Sequence, residues 1–553
     1  MASMTHACAP HASTHRQPGA PAHGARVHRA ALRLAGRARR WVGHAALLGL
    51  LLPLAAGAQS LWFDQHGQPS PAAHEAVQWL AQAASDGLRP ADYDAERWAR
   101  ALDGRAPVPA ERVAEWDAEL TQTVARYLQE LRHGRVDPAR LGAHYDSETA
   151  PAPELETLLR AGAASGQLAE VRRAATPPWP QYAPLREALA RYRELAGHPA
   201  WDQPLPGVPG GKLQTGQRWP GLPALAERLR ALGDLPAGAA DAPEAYDAAL
   251  QDGVRAFQAR HTLDTDGVLG RATLAALAVT PAQRVQQIEL ALERLRMTPL
   301  PAAARFITVN VPEFMLRAWQ HEGGAARERL AMRVVVGKAL DTRTPLFDED
   351  MRWIEFNPYW NIPRSITRNE TLPKLRANPG YLAAQGMEFV GPGGERSSTV
   401  TPELLEAVES GAWRVRQRPG RLNALGDIKF VLPNNQAIYL HHTPSVSLFN
   451  RARRDFSHGC IRVEEPVELA HWVLDDDAEW PVARIRASMG QPRTLTARLA
   501  TPVPVLIVYR TVTVQDGRVH FAPDLYGQDA LLERTLAQRP QQAVRAEAPR
   551  RAS

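Results

Sequence analysis

The 553-residue sequence is poor in cysteine, with two in the whole chain, Cys8 and Cys460. So few thiols exclude a disulfide-stapled fold and any metal site built from several cysteines. Acidic residues are missing from residues 1–58, which hold seven arginines (Arg16, Arg26, Arg29, Arg33, Arg37, Arg39, Arg40) and no Asp or Glu. The formal charge of +6 falls to about −1 once those seven are set aside. The remainder therefore has no basic surplus, which argues against a nucleic-acid partner. Long hydrophobic runs are scarce as well. The run Ala45–Ala55 is too short for a stable bilayer span, and no other stretch could cross a membrane. What remains is 44% hydrophobic and 22% charged, a globular composition despite 46 prolines and 39 glycines, and long enough for about three domains.

The N-terminal bias has a direct reading. Arg37-Ala38-Arg39-Arg40 precedes the apolar run, and Ala56-Gly57-Ala58 gives an A-x-A cleavage pattern before Gln59. Residues 1–58 are expected to be a signal peptide with a disordered lead. The mature protein is expected to be exported, soluble and periplasmic, with an uncleaved inner-membrane anchor as the alternative. Cys8 leaves with the signal, so Cys460 becomes the lone thiol: a buried hydrophobe or a reactive group.

The pattern along the chain predicts a multidomain α+β protein. Residues 59–215 read as a helical scaffold, with helices over Ala73–Ala84 and Glu119–Leu131. A Pro/Gly/Gln-rich linker follows over 197–222. Residues 220–280 form a small three-helix pattern with Phe257-Gln258, Asp266-Gly267-Val268-Leu269-Gly270 and Thr273-Leu274-Ala275-Ala276-Leu277, which resembles the peptidoglycan-binding repeat domain. Gln286–Met297 reads as a linking helix. Beyond it the period switches to two, in Phe306–Val311, Met332–Val336, Ile428–Leu432 and the stretch around Tyr439. A last hairpin, Val505–Val514 with Arg518–Phe521, turns on Asp516-Gly517. Residues 300–527 are thus expected to be a mainly-β sandwich or barrel. An insertion at 364–416 breaks the strand rhythm as a candidate lid, and 537–553 is expected to be a disordered tail.

Chemistry concentrates in Ser457-His458-Gly459-Cys460-Ile461-Arg462-Val463 and the preceding Ile438-Tyr439-Leu440-His441-His442-Thr443-Pro444. Cys460 follows a glycine and precedes a helix expected to start at Pro466, so exposed N–H groups are expected to favour thiolate. Alternation along the first segment puts Tyr439 and His441 on one face. A cysteine with a separate histidine to take its proton is the minimum for nucleophilic acyl transfer.

These stretches resemble the L,D-transpeptidases with a YkuD-type catalytic domain. Their pattern is a histidine, about fifteen residues, then S/T-H-G-C, and fifteen residues separate His441 from Ser457. The flanking Phe356-Asn357-Pro358-Tyr359-Trp360-Asn361-Ile362-Pro363 and Asn423-Ala424-Leu425-Gly426 fit the same family. With the helical half and the binding module, the chain looks like the large, three-part YcbB-type members. The resemblance implies Cys460 as nucleophile and His441 as general base. Gly459 and Cys460 N–H groups, with the Tyr439 hydroxyl, are implied to hold the oxyanion. Ser457 and His458 would shape the turn, Arg462 would meet a substrate carboxylate, and Trp360 and Tyr359 could stack on substrate. The implied reaction forms 3→3 peptidoglycan crosslinks from tetrapeptide stems, with cell-wall synthesis proteins as candidate partners. One departure is His442, where the large members usually carry aspartate, which bears on how His441 is oriented.

Competing readings use the same residues. A thioester passed to water makes an L,D-carboxypeptidase or endopeptidase, and one passed to a lysine attaches a protein to the wall. A dead site leaves a non-catalytic wall-binding protein. His441, His442, His458 and Cys460 could ligate zinc, but the H-E-x-x-H and C-x-x-C elements are missing, so no metal and no cofactor is expected. Arg462 could instead pair with Glu464 or Glu465.

Overall fold

The computed structural model describes residues 60–538, apart from 104–106, 147–148, 150–153, 236–237, 239–242 and 341. The expected signal segment with Cys8, and the expected tail beyond 538, lie outside the described residues. Ala537, placed in that tail by the sequence reading, closes a helix, Gln528–Ala537. Among the described residues no helix is long and apolar enough to cross a membrane.

The helical half is organised by apolar stripes at helical spacing. Val113–His133 buries Leu120, Val124, Tyr127, Leu128 and Leu131 along one face, longer at both ends than the expected Glu119–Leu131. These side chains pack with Ala73, Ala76, Val77 and Leu80 of Pro71–Ala81 and with Leu185 and Leu189 of Tyr182–Leu195. The segment read as a linking helix proves to be part of this core. It runs Pro281–Met297, opens with a reciprocal cap between Thr280 and Gln283, and buries Ile288, Ala291, Leu292 and Leu295 in the same cluster. Its polar residues are covered too. Glu293 is fully buried between Arg135 (3.1 Å) and Arg296 (2.9 Å). Burial alone pushes the Glu293 carboxyl up, but the two guanidinium groups outweigh it and hold it below its usual range.

Leu222–Leu232, Ala248–Ala259 and Arg271–Ala278 enclose a separate core of Leu225, Leu229, Leu250, Val254, Phe257 and Leu277. The motif residues serve this fold. Buried Gln258 donates to Asp266 Oδ1, the Val268 carbonyl and Thr273 Oγ1, and accepts from the Gly267 N–H. Gly267 has φ +72°, and a Cβ there would lie 2.6 Å from Gln251 Cγ.

The β half closes on itself. From Leu346–Phe356 the order runs through Ile428–Val431, Leu440–His441, Ile461–Val463, Ala325–Gly337, Met315–Glu322 and Arg305–Asn310 to Leu495–Val508. That last strand pairs both Arg305–Asn310 and Leu346–Phe356, which makes a barrel. Strand alternation serves two cores. Ile307, Val309, Val505 and Ile507 face the barrel interior, whereas Phe306, Leu506 and Val508 face the helical layer. The expected Val505–Val514 strand is corrected: it begins at Leu495, ends at Val508, and Val512–Gln515 with Arg518–Phe521 forms its own hairpin. Asp516 (φ 49°) and Gly517 (φ 73°) supply the tight turn. The insertion is a small unit with a sheet of Trp360–Asn361, Arg414–Gln417, Met387–Val390 and Arg396–Ser397 over a core of Leu372, Leu375, Phe389 and Val415.

The Glu293→Ala variant leaves Arg135 and Arg296 buried without their carboxylate. It is expected to lose about 3–5 kcal/mol of stability, measured by urea unfolding of the chain from Ser60 onward; an unchanged midpoint would contradict this role.

Candidate active site

Strand register assembles the site. Leu440–His441 lies between Ile428–Val431, antiparallel, and Ile461–Val463, parallel, with Leu440 beside Ile461 and His441 beside Arg462. The Ile461 N–H donates to the Tyr439 carbonyl (3.1 Å), which brings Cys460 alongside Tyr439. Leu440, Ile461 and Val463 are buried in the barrel, so the opposite face of each strand is left for polar side chains.

The cysteine loop is stitched from within. The Ser457 hydroxyl donates to the Cys460 carbonyl (2.5 Å) and accepts from the Gly459 N–H (3.2 Å). Gly459 has φ +113°, and its carbonyl accepts from Thr344 Oγ1 (2.8 Å). Thr342 Oγ1 donates to the Ser457 carbonyl (3.0 Å). The expected position of Cys460 beside a helix start is corrected. The strand Ile461–Val463 intervenes before the helix Pro466–Leu474, so the helix N-terminus does not reach the sulfur. Burial accordingly pushes the Cys460 thiol above its usual pKa, although the Tyr439 N–H and hydroxyl, Lys429 and Arg462 all favour the thiolate.

His441 is buried, and its Nδ1 meets the His442 carbonyl at 2.5 Å. A carbonyl only accepts, so Nδ1 carries the proton and Nε2 the lone pair. Burial, and then the neighbouring Arg462, push its pKa down to about 3. The folded chain thus takes this proton less readily than the unfolded one. The stability tied to neutral His441 is complete above about pH 6.5 and is lost as pH falls toward 3. Because a backbone carbonyl orients the ring, the side chain at position 442 is not what holds it. His442 itself sits 3.8 Å from Asp427.

Tyr439 is the hub of the remaining contacts. Its hydroxyl bonds to Cys460 and receives a hydrogen bond from the Trp360 indole; Lys429 lies 4.8 Å over its ring, and its ring centroid is 5.8 Å from that of His441. Among the described residues, the hydrogen-bond partners of Sγ are Tyr439 and, at 3.5 Å, the Ala437 carbonyl, not the His441 ring. Arg462 is largely covered and its Nε has no partner. Glu464, weighed above as its partner, belongs to Arg333, and Glu465 is exposed. Tyr359 stacks under Arg416, with the guanidinium carbon 4.1 Å from the ring centroid. His458 turns outward, its Nε2 2.5 Å from Glu370 of the insertion. The histidines do not converge, and among the described residues no cluster of three His, Cys, Asp or Glu could hold a metal.

Sequence reasoning missed Trp360 as a donor, Glu370, Thr342, Thr344 and Lys429. Asn423, part of the flanking text, donates to the Pro358 carbonyl (2.8 Å) and ties together the two ends of the insertion.

Comparisons with known proteins bear on these same residues. Residues 304–505, which include Cys460 and His441, match the "L,D-transpeptidase catalytic domain" (YkuD). Residues 55–189 match a "Scaffold domain" and 220–277 a "Putative peptidoglycan binding domain". A Haemophilus influenzae protein described as "Putative L,D-transpeptidase" is 32% identical over 244 residues, 44% of this chain and 48% of that protein. The chain therefore spans about half the length of this relative. A Clostridium acetobutylicum structure titled "Fused Zn-dependent amidase/peptidase/peptodoglycan-binding domain-containing protein" covers 54% of this chain and 98% of its own. Its identity is 11% and its TM-score 0.15, too low to support any argument.

The thiol geometry gives a pH prediction. The rate of Cys460 alkylation by iodoacetamide should rise with pH to a midpoint above that of a free cysteine. A midpoint near neutrality would contradict the half-buried, protonated thiol.

Proposed function

We propose, from the premise that this chain carries a YkuD-type L,D-transpeptidase catalytic domain beside a peptidoglycan-binding domain, that it is an exported cysteine transpeptidase making 3→3 crosslinks between peptidoglycan stems. The observation that supports this reading best is the strand register that puts the Cys460 thiol against Tyr439 and two residues along the paired strand from His441, a neutral imidazole held beside the His442 and Leu425 carbonyls.

The chemistry follows from those groups. On donor binding the Cys460 proton passes to His441 Nε2, and sulfur attacks the carbonyl carbon after the third residue of a tetrapeptide stem. The C–N bond breaks, His441 returns its proton to the leaving amine, and D-alanine departs from a thioester on Cys460. A side-chain amine of a second stem then loses a proton to His441 and attacks the thioester. The C–S bond breaks and the thiol is restored. Both steps build negative charge on a carbonyl oxygen. Of the donors expected there, the Gly459 N–H is already committed to Ser457. The Cys460 N–H and the Tyr439 hydroxyl, itself fixed by Trp360, are left to meet that oxygen. Arg462, a covered cation without a carboxylate, receives one from substrate.

The remaining parts follow the same logic. Residues 59–215 serve as scaffold and 220–280 as the wall-binding module. The insertion over 364–416 is a lid resting on the cysteine loop through Glu370 and His458. The basic-then-apolar segment ending at Ala58 delivers the protein to the periplasm, where its substrate is.

The test is product analysis with a disaccharide-tetrapeptide. Crosslinked dimers and free D-alanine are expected, with none from Cys460→Ala and a loss of roughly 10²–10⁴-fold from His441→Ala. Tripeptide without dimers would move the activity to the hydrolases. Wall binding without any product would leave a non-catalytic protein.

A further inference from the structure

A cavity of about 290 Å³ lies between the three-helix module and the barrel, and Cys460 is not in its wall. That volume is at the lower edge of the roughly 300–1,000 Å³ range typical of small-molecule sites. The module contributes Thr262 and Thr265; the barrel half contributes Glu313, Arg333, Arg454 and Arg510.

The charges on this wall do not balance. Arg333 is neutralised by Glu464. Glu313, the carboxylate on the wall, is already saturated: Arg317 grips both of its oxygens (2.8 and 2.5 Å), and Asn310 and Gln515 donate to it as well. Arg454 and Arg510 are left over. Arg454 is buried and donates to the Val334, Arg451, Ala452 and Phe314 carbonyls, all neutral. Arg510 is 5% exposed; its guanidinium carbon lies 4.2 Å from the Trp179 ring centroid, and its Nε and Nη2 have no hydrogen-bond partner. Burial, the largest cause, pushes both guanidinium groups down to about 10; the pull of Glu313 on each, and of Glu464 on Arg454, does not offset it. An uncompensated buried charge is costly, and a bound anion removes that cost. The module side is also unusual. Thr262, β-branched, holds φ at +55°, a strained conformation of the kind that clusters at ligand sites. Beside it the Ala452 N–H donates to Asp264 Oδ1, joining the module to the loop between His441 and Ser457.

We infer that this cavity is a second binding site, separate from Cys460, that takes the free carboxylate of a peptide. Arg454 and Arg510 supply the charge, and the module closes the site from above. That the peptide is a peptidoglycan stem rests on the proposed transpeptidase reading; the anion site does not.

Equilibrium dialysis of the full chain carrying Cys460→Ala against a disaccharide-tetrapeptide tests this. Two equivalents are expected to bind. Thr265→Trp fills the cavity from an exposed position on its wall, and should leave one equivalent. Arg510→Gln should weaken the same class at least about tenfold. Retention of both equivalents in Thr265→Trp, or a single equivalent in the parent, overturns the second site while leaving the transpeptidase reading intact. No binding at either site overturns both. Inorganic phosphate filling the cavity as tightly as the peptide would overturn the assignment to a peptide carboxylate.

Discussion

The register that sets Leu440 beside Ile461 and His441 beside Arg462 is the constraint on which the rest of the site depends. A slip of one residue would turn His441 into the barrel core and Leu440 toward solvent, because strand side chains alternate. The pairing involves very short strands, so it is not held by backbone hydrogen bonds alone. Leu440, Ile461 and Val463 are buried in a single apolar cluster with Ile428, Phe430 and Val334. The barrel surrounding that cluster is closed by Leu495–Val508, whose other face packs against the helical half through Leu506 and Val508. The scaffold thus braces the strand that closes the barrel, and the closed barrel holds the register. Through these contacts the Glu293 helix, distant in sequence from Cys460, packs in the cluster that backs the closing strand.

Electrostatics and geometry then act together on a covered site. Burial favours the neutral form of both partners, holding His441 deprotonated and Cys460 protonated. The resting pair is therefore a thiol and an imidazole rather than a preformed ion pair. In the mechanism proposed above, proton transfer waits for substrate, with Tyr439 and Arg462 favouring the thiolate. A Cys460 thiol kept protonated is also protected from oxidation, which follows thiolate character.

Much of this was legible in the sequence because periodicity reports burial. The alternation at Tyr439 and His441 placed phenol and imidazole on one face, and their rings lie side by side. The switch from period 3.6 to period 2 after Met297 marked the start of the β half, where the first barrel strand begins at Arg305. Other features were not legible, for physical reasons. Pro281–Met297 carries Glu293, Arg294 and Arg296, charged types rarely buried unless paired; tertiary partners such as Arg135 and Asp529 make their burial tolerable. The helix at Pro466 suggested a thiolate, but three extended residues after Cys460 take the sulfur away from it. The hydrogen bond between Gly459 and Ser457, the Trp360 indole on Tyr439 and the Glu370–His458 contact depend on how the insertion and the loop fold back, which no local pattern encodes.

The central claim is that Cys460 carries an acyl group during turnover, and it can be tested by rapid quench of the chain with a disaccharide-tetrapeptide followed by intact mass and peptide mapping. The account predicts a transient adduct equal to the donor minus D-alanine, located on the peptide containing Cys460. It should vanish when an acceptor amine is supplied and be missing in Cys460→Ala. An adduct mapped to another residue, or crosslinked product formed by Cys460→Ala, would contradict it.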